Sequence, residues 1–239
     1  MTHPLYRDDA YLRDASATVT GHTAEGGIIL DASVFFPTGG GQPGDSGILR
    51  WNDTSLRIAT ALKGPDGAII LVPAEPAALP ALGQEVGQSL DWERRHRHMR
   101  VHTALHLLSK VVPFGVTGGA VDMAHGRLDF NMPEALEDKD RVQQALTDLI
   151  ALDAAVTEDW ITWADLDAAP ELVKTLTVQP PRDAGPVRLI CIGDRASPID
   201  LQPCGGTHVA TLGEIGRVRL GKVQKKGQMN RRIYLHLDN

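Results

Sequence analysis

Two short segments about a hundred residues apart restrict this chain more than any other part of it: His102-Thr103-Ala104-Leu105-His106 and Cys204-Gly205-Gly206-Thr207-His208. Each carries two metal-capable side chains with three residues between them. On a helix, positions i and i+4 share a face. Both imidazoles of the first segment can then reach one ion at roughly 2.0–2.1 Å. In the second segment the Gly205-Gly206 pair lets the backbone bend, so that a thiolate and an imidazole converge. Together the four side chains offer three nitrogens and one sulfur, a set that suits one tetrahedral zinc ion per chain. Neither segment is specific alone, because helices often carry two histidines four apart on a wet face. The pair is what points to zinc. Four protein ligands close the tetrahedron, and closed sites are commonly structural. Zinc by itself therefore does not establish catalysis.

The 239 residues allow one large domain or two modest ones. A hydrophobic fraction of 42% supports a true core and argues against disorder. Two cysteines give no disulfide framework. Cys191 lies in the apolar run Val187-Arg188-Leu189-Ile190-Cys191-Ile192 and reads as a buried strand residue. This usage fits a reducing cytosol. The N-terminus has no signal-peptide core, and no stretch approaches the ~18 apolar residues of a membrane span. The expectation is a soluble cytoplasmic protein without membrane partners. A net charge of −6 argues against non-specific nucleic-acid binding. The run Arg94-Arg95-His96-Arg97-His98-Met99-Arg100 is nevertheless basic, as is the C-terminal stretch with Arg217, Arg219, Lys222, Lys225, Lys226, Arg231 and Arg232. Such patches either hold a phosphate backbone locally or are ordinary solvated surface.

Residues 1–88 read as mostly β. Strand-like runs at 18–20, 27–31, 48–51, 56–59, 68–72 and 86–91, separated by turn signals, suggest a small barrel. Within them, residues 38–47 hold five glycines and one proline and cannot form the interior of a regular element. Gly40 and Gly41 allow the backbone to approach a ligand closely, and Thr38 and Gln42 contribute hydrogen-bonding groups. An ordinary hairpin loop with glycines at positive φ explains the same pattern. A helix follows at 92–112. Met99, Leu105, Leu107, Leu108 and Val111 form its apolar face, His102 and His106 lie on an adjacent stripe, and Pro113 and Gly115 stop it. Further along come a strand at 127–130, a helix at 134–153 started by Asn131 or Pro133, and a strand at 156–163. A short helix at 170–177, a strand at 187–192 and a closing hairpin of 214–223 with 231–237 complete the pattern. The mixture without regular βα alternation predicts an α+β fold, divided as 1–88 and 89–239.

These residues resemble a known family. His102-Thr103-Ala104-Leu105-His106 with Cys204-Gly205-Gly206-Thr207-His208 is similar to the editing domain of alanyl-tRNA synthetase and to the free-standing AlaX proteins. The resemblance extends to Phe36-Pro37-Thr38-Gly39-Gly40-Gly41-Gln42-Pro43-Gly44-Asp45, to Arg100-Val101-His102, to Gly213-Glu214-Ile215-Gly216 and to Lys226-Gly227 with Arg231-Arg232-Ile233. It covers nearly the whole chain. The medium-sized AlaX class implies a small N-terminal β-barrel followed by an α/β two-layer editing domain of the threonyl/alanyl-tRNA synthetase second additional domain type. It implies a zinc-dependent trans-editing deacylase acting on mischarged tRNA(Ala), chiefly Ser-tRNA(Ala) and also Gly-tRNA(Ala), without ATP. By that analogy His102, His106, Cys204 and His208 are the zinc ligands, and Thr38 selects the serine hydroxyl. Gln42, Gly40 and Gly41 belong to the editing pocket. Contacts to tRNA are expected from Arg100, Lys222, Lys225, Lys226, Arg231 and Arg232.

Two other classes compete. One is a non-catalytic tRNA-binding module in which zinc is only a staple, against which the glycine-rich loop and Thr38 speak. The other is a zinc peptidase, but Thr103 stands where an HExxH helix carries its glutamate base. The oligomeric state is not legible.

Overall fold

The computed structural model describes all residues except 135, 137, 177–181, 183, 184 and 239. The chain forms two compact units, Met1–His98 and Met99–Asn239.

In the first unit, β1 (Asp14–His22), β2 (Ile28–Leu30), β3 (Gly47–Trp51), β4 (Thr54–Lys63), β5 (Ile69–Pro73) and β6 (Glu85–Leu90) close into a barrel of order β1-β2-β5-β4-β3-β6. All its pairings are antiparallel. Val19, Ile28, Leu30, Leu49, Leu56, Ile58, Leu71 and Val86 fill the interior. In β4 the buried positions change parity, from Leu56 and Ile58 to Ala61. The cause is a slip of the β4–β5 ladder between Ile58 and Thr60; one extra residue turns every later side chain to the opposite face. Outside the barrel strands, Tyr6 meets Phe36 edge-on at 5.3 Å.

Helix α1 (Trp92–Val111) starts in the first unit and continues into the second. Its Arg95 is fully buried and donates to Asp45, to the Ala10 carbonyl and to the Val34 carbonyl. Asp45 also accepts from the Phe36 N–H at 2.6 Å. The glycine-rich segment is thus tied to its own unit by a buried ion pair.

The second unit contains β7 (Val116–Val121), β8 (His125–Asn131), α2 (Lys139–Ala151), β9 (Val156–Ile161), α3 (Trp163–Ala168), β10 (Val187–Ile192), β11 (Asp200–Pro203), β12 (Val218–Lys225) and β13 (Asn230–Leu237). One sheet has order β12-β13-β8-β7 and the other β9-β10-β11. Both are antiparallel. Every residue of α1 from 101 to 109 is buried, so the helix is covered on all sides there rather than along one apolar stripe. It lies close on β8: a Cβ on Gly126 would sit 2.7 Å from Val101 Cγ1 and 2.9 Å from Leu105 Cδ1.

Several boundaries differ from the sequence expectation. Helix α2 begins at Lys139 because Asp138 caps it, accepting from the Arg141 N–H at 2.8 Å; two residues of the expected first turn, 135 and 137, lie outside the described residues. Strand β7 went unread because Gly118 and Gly119 interrupt its pattern. Strand β9 stops at Ile161, where a reciprocal Thr162–Asp165 capping box opens α3. The helix expected at 170–177 is a single 3₁₀ turn, Pro170–Leu172, with residue 177 outside the described range. A second capping box, Thr211–Glu214, makes Leu212–Ile215 a 3₁₀ turn, so β12 starts only at Val218. Among the described residues no helix is long and apolar enough to cross a membrane.

Candidate metal centre

Helix α1 puts His102 and His106 on consecutive turns, and the loop after β11 carries Cys204 and His208. The four ligand atoms lie within 4.8 Å of one another. His102 Nε2 is 3.5 Å from Cys204 Sγ, and His208 Nε2 is 3.4 Å from it. With metal–nitrogen bonds of ~2.0–2.1 Å and a metal–sulfur bond of ~2.3 Å, the nitrogen–sulfur edge of a tetrahedron is roughly 3.6 Å. The donor set therefore fits, and the cluster can hold one metal ion.

The second ring nitrogens fix which atoms face the ion. The Thr103 hydroxyl donates to the Met99 carbonyl at 2.9 Å and accepts from the Val209 N–H. Its single hydrogen is thereby used, so His208 Nδ1, 3.1 Å away, must be the donor to it. The Nε2 lone pair of His208 is left pointing at the cluster. Asp200 Oδ2 accepts from His106 Nδ1 at 3.0 Å with the same result. Asp200 is itself 2% exposed and is held by Lys174 and by Gln202 Nε2.

Electrostatics agree with this arrangement. Burial opposes the Cys204 thiolate, but His102 and His208 beside it hold the thiol well below its ordinary range. Burial also opposes a charge on His106, yet Asp200 and then Cys204 outweigh it and raise this imidazole to about 9. Burial and the neighbouring His102 push His208 down to about 3. Burial would raise Asp200, but His106 and Lys174 hold it at about 2. The cluster thus pairs a thiolate with a proton carried mainly by His106. A divalent cation in place of that proton would satisfy the thiolate and three nitrogen lone pairs together.

The Cys204 loop brings the thiol and the His208 imidazole together. Neither Gly205 nor Gly206 has positive φ. Instead Arg188, buried on β10, donates from Nη1 to the carbonyls of Cys204 at 2.9 Å and Gly206 at 2.8 Å, while its Nε meets Glu158 at 2.8 Å. A fork-shaped donor clamps the loop.

In the glycine-rich segment, Gly39 and Gln42 exchange both backbone hydrogen bonds at 3.0 Å. Gly40 and Gly41 between them have φ of 59° and 80°, the requirement of a type I′ turn. Thr38 is exposed. Its hydroxyl donates to the Ala61 carbonyl at 3.3 Å and accepts from the Gly44 N–H at 2.9 Å. Gln42 is fully buried. Among the basic residues, Arg100 donates to the Ile215 carbonyl at 3.0 Å. Arg231 is buried and donates to the carbonyls of Gly227, Gln228, Asn230 and Pro133. Arg232 makes two bonds to Asp129. Lys222, Lys225 and Lys226 are exposed.

Sequence reading missed Thr103, Arg188 and Asp200. Asp200 carried a usable signal: with Gln202 it alternates along a short strand, the spacing that turns two polar groups to one face.

The chain matches the family described as Threonyl and Alanyl tRNA synthetase second additional domain over residues 187–234, and tRNA synthetases class II (A) over residues 10–94. The alanyl-tRNA editing protein AlaX-M of Methanosarcina barkeri is 32% identical over 246 residues, covering 99% of both chains. That of Saccharolobus solfataricus is 32% identical over 244 residues, covering 98% of both. The AlaX-L protein of Pyrococcus horikoshii is 28% identical, with 95% of this chain matching 56% of that one. The motifs, the clustered ligands and this full-length similarity lead to one conclusion: the chain belongs to the AlaX-M family of alanyl-tRNA editing proteins.

Proposed function

We propose that the protein is a trans-editing deacylase that hydrolyses the ester of mischarged tRNA(Ala), chiefly Ser-tRNA(Ala) and also Gly-tRNA(Ala), in the cytoplasm. One observation carries the reading most: a half-buried thiol and three buried imidazoles, two of them oriented by Asp200 and Thr103, in a chain of this family. In this reading His102, His106, Cys204 and His208 hold one zinc ion. Bound zinc would supply a Lewis acid or a template at the substrate end.

The selectivity problem is asymmetric. A synthetase pocket shaped for alanine rejects an added hydroxyl by only about a hundredfold. An editing site must do the reverse, accepting serine and sparing alanine. A polar group that needs the serine hydroxyl can discriminate by roughly 10⁴–10⁵, because alanine leaves it unpaired. Thr38 is assigned that role. Its hydrogen and one lone pair serve Ala61 and Gly44, so its second lone pair accepts from the serine hydroxyl. The backbone of Gly40 and Gly41, with Gln42, is assigned to the developing oxyanion. The reading divides the chain into a barrel module, 1–88, and a two-layer editing module, 89–239.

The closed four-ligand set also favours a second reading, a zinc-stapled tRNA-binding module without catalysis. Release of amino acid from Ser-, Gly- and Ala-tRNA(Ala) by the purified protein decides. The deacylase reading expects release from the first two and little from the third, abolished by a chelator under conditions where circular dichroism stays unchanged. No release from any of them leaves the binding module. Thr38→Val is expected to lose the preference for serine over alanine while keeping its metal; unchanged selectivity removes Thr38 from the assignment.

A further inference from the structure

Strand β13 alternates strictly. Ile233, Leu235 and Leu237 are buried, while Arg232, Tyr234 and His236 occupy the other face. The ladders pair His236 with Arg219 of β12 on one side and with His125 of β8 on the other. Three nitrogen-bearing side chains therefore stand in one row across three strands that lie about 4.8 Å apart. The His125 and His236 rings stack at 5.6 Å. Between Leu220 and Val223 the β12–β13 ladder slips, and this irregularity carries Lys222, whose Nζ lies 5.1 Å over the Tyr234 ring. Gly221 permits the close packing, since a Cβ there would sit 2.7 Å from His236 Nε2 and 2.9 Å from Tyr234 Cβ.

With Lys139 at the start of α2, these residues line a concavity of about 630 Å³, none of whose lining residues is acidic. Asp129 is engaged by Arg127 and Arg232, and Asp238 by Arg219 at 3.6 Å. A surplus of donors gathered on one face of a chain of net charge −6 calls for an anionic partner. The face plays no part in the metal cluster. On β8, Gly126 and Leu128 are buried, with Gly126 against α1, whereas His125 and Arg127 turn to the opposite side. The row thus lies across the sheet from the ligand-bearing helix.

We propose that this row, Arg219, His236 and His125 with Lys222 and Lys139, binds backbone phosphates of the tRNA substrate at a point away from its acylated end. The identity of the RNA rests on the deacylase reading; the phosphate chemistry does not. Spaced donors on an open sheet suit a phosphodiester chain, with the half-buried Tyr234 ring beside them.

The test uses the full chain and the Arg219→Ala/Lys222→Ala double variant. Both side chains are exposed, so the fold is expected to persist, with thermal melting as the check. Binding of tRNA(Ala) is measured by fluorescence anisotropy across a salt series. Deacylation is measured on Ser-tRNA(Ala) and on a short seryl oligonucleotide carrying only the 3′ end. The variant is expected to bind tRNA about tenfold or more weakly, with a salt slope reduced by about two. Its KM for the whole tRNA is expected to rise while kcat, and hydrolysis of the short ester, stay unchanged. Equal affinity and an equal salt slope overturn the phosphate site even if both proteins deacylate normally. A wild type that releases serine from neither substrate overturns the deacylase reading instead, and the binding comparison still decides on the site. If the wild type does not bind tRNA, the phosphate site falls, and release of serine alone decides the deacylase reading.

Discussion

The histidine–cysteine cluster and the Thr38 turn both combine chemistry-bearing side chains with a tight stretch of backbone, but they hold them in opposite ways. In the cluster the three imidazoles are buried and the thiol is half-buried, and the spare ring nitrogens of His106 and His208 meet a carboxylate and a hydroxyl. The backbone of its loop needs no unusual φ and is fixed from outside by Arg188. In the Thr38 turn the backbone is the special part, with two glycines at positive φ, while the Thr38 side chain, to which the proposal assigns the serine hydroxyl, is exposed. Metal binding requires converging lone pairs in a dry setting, which side-chain packing provides. Recognition of a small hydroxyl requires a group that stays reachable yet oriented, which a rigid turn provides.

The sharpest way to break this contrast is to remove the only anionic ligand. Cys204→Ala is expected to lose the bound metal outright and to melt like the chelated wild type. A metal held only by the folded chain stabilises it by about 4 kcal/mol at a thousandfold excess over its Kd and by more when it binds tighter, so the fall in melting temperature should exceed that of any other single change while the metal-free chain stays folded. Metal content by elemental analysis, alongside a melt, checks it. A variant that keeps one equivalent of metal would show that the thiolate is dispensable. The second largest effect belongs to the turn's own support. Arg95→Ala leaves Asp45 buried without its cation, at a cost of roughly 3–5 kcal/mol, measurable by urea denaturation. The change should leave metal content intact if the first unit alone absorbs the loss.

The contrast also explains what the sequence could reveal. The i, i+4 histidines and the Cys204–His208 spacing are local patterns, so the four side chains that cluster were legible. So was the turn, because positive φ at Gly40 and Gly41 is written as glycine. The supports were not. Asp200 meets His106 across 94 positions, and Arg188 meets the loop only because β10 and β11 pair. Arg188 sits in an apolar run that reads simply as a buried strand. The convergence expected of the Cys204–His208 loop is present, but the clamp on its carbonyls is not local: it comes from Arg188. The capping boxes Thr162–Asp165 and Thr211–Glu214 were within reach of sequence reasoning, since that spacing is itself a start signal.

Asp200 separates support from ligand. Asp200→Asn keeps the size but loses the charge that orients His106, and such partners typically affect metal affinity by 10–100-fold. A chelator competition experiment is expected to show that loss with metal stoichiometry unchanged at saturation; no shift would reduce Asp200 to a packing residue. The same pair gives a pH signature in metal-free protein. Asp200 is depressed to about 2 from an unfolded value near 3.8. Its contribution, about 2 kcal/mol, is complete above pH ~4 and is lost as pH falls toward 2. His106 is raised from 6.5 to about 9, so its share is complete below pH ~6.5 and is lost as pH rises toward 9. A bound metal displaces the His106 proton, which removes the alkaline arm. Melts across pH with and without chelator test this directly, and an alkaline arm that persists in the loaded protein would contradict the ligand assignment.

The smallest effect tests the turn. Gly40 has φ of 59°, and a Cβ added there meets nothing within 4 Å. The cost of Gly40→Ala is therefore conformational alone, about 1 kcal/mol. Gly40→Asn should cost less, because asparagine tolerates the left-handed region and suits this turn type. Urea melts of the two variants resolve the order, and both are expected to retain full metal content. Equal stability of Ala, Asn and Gly at this position would mean that the turn is not held in this conformation in solution. A loss above about 3 kcal/mol for Ala would mean that the space around Gly40 is filled, and that the turn owes its shape to packing rather than to its own backbone.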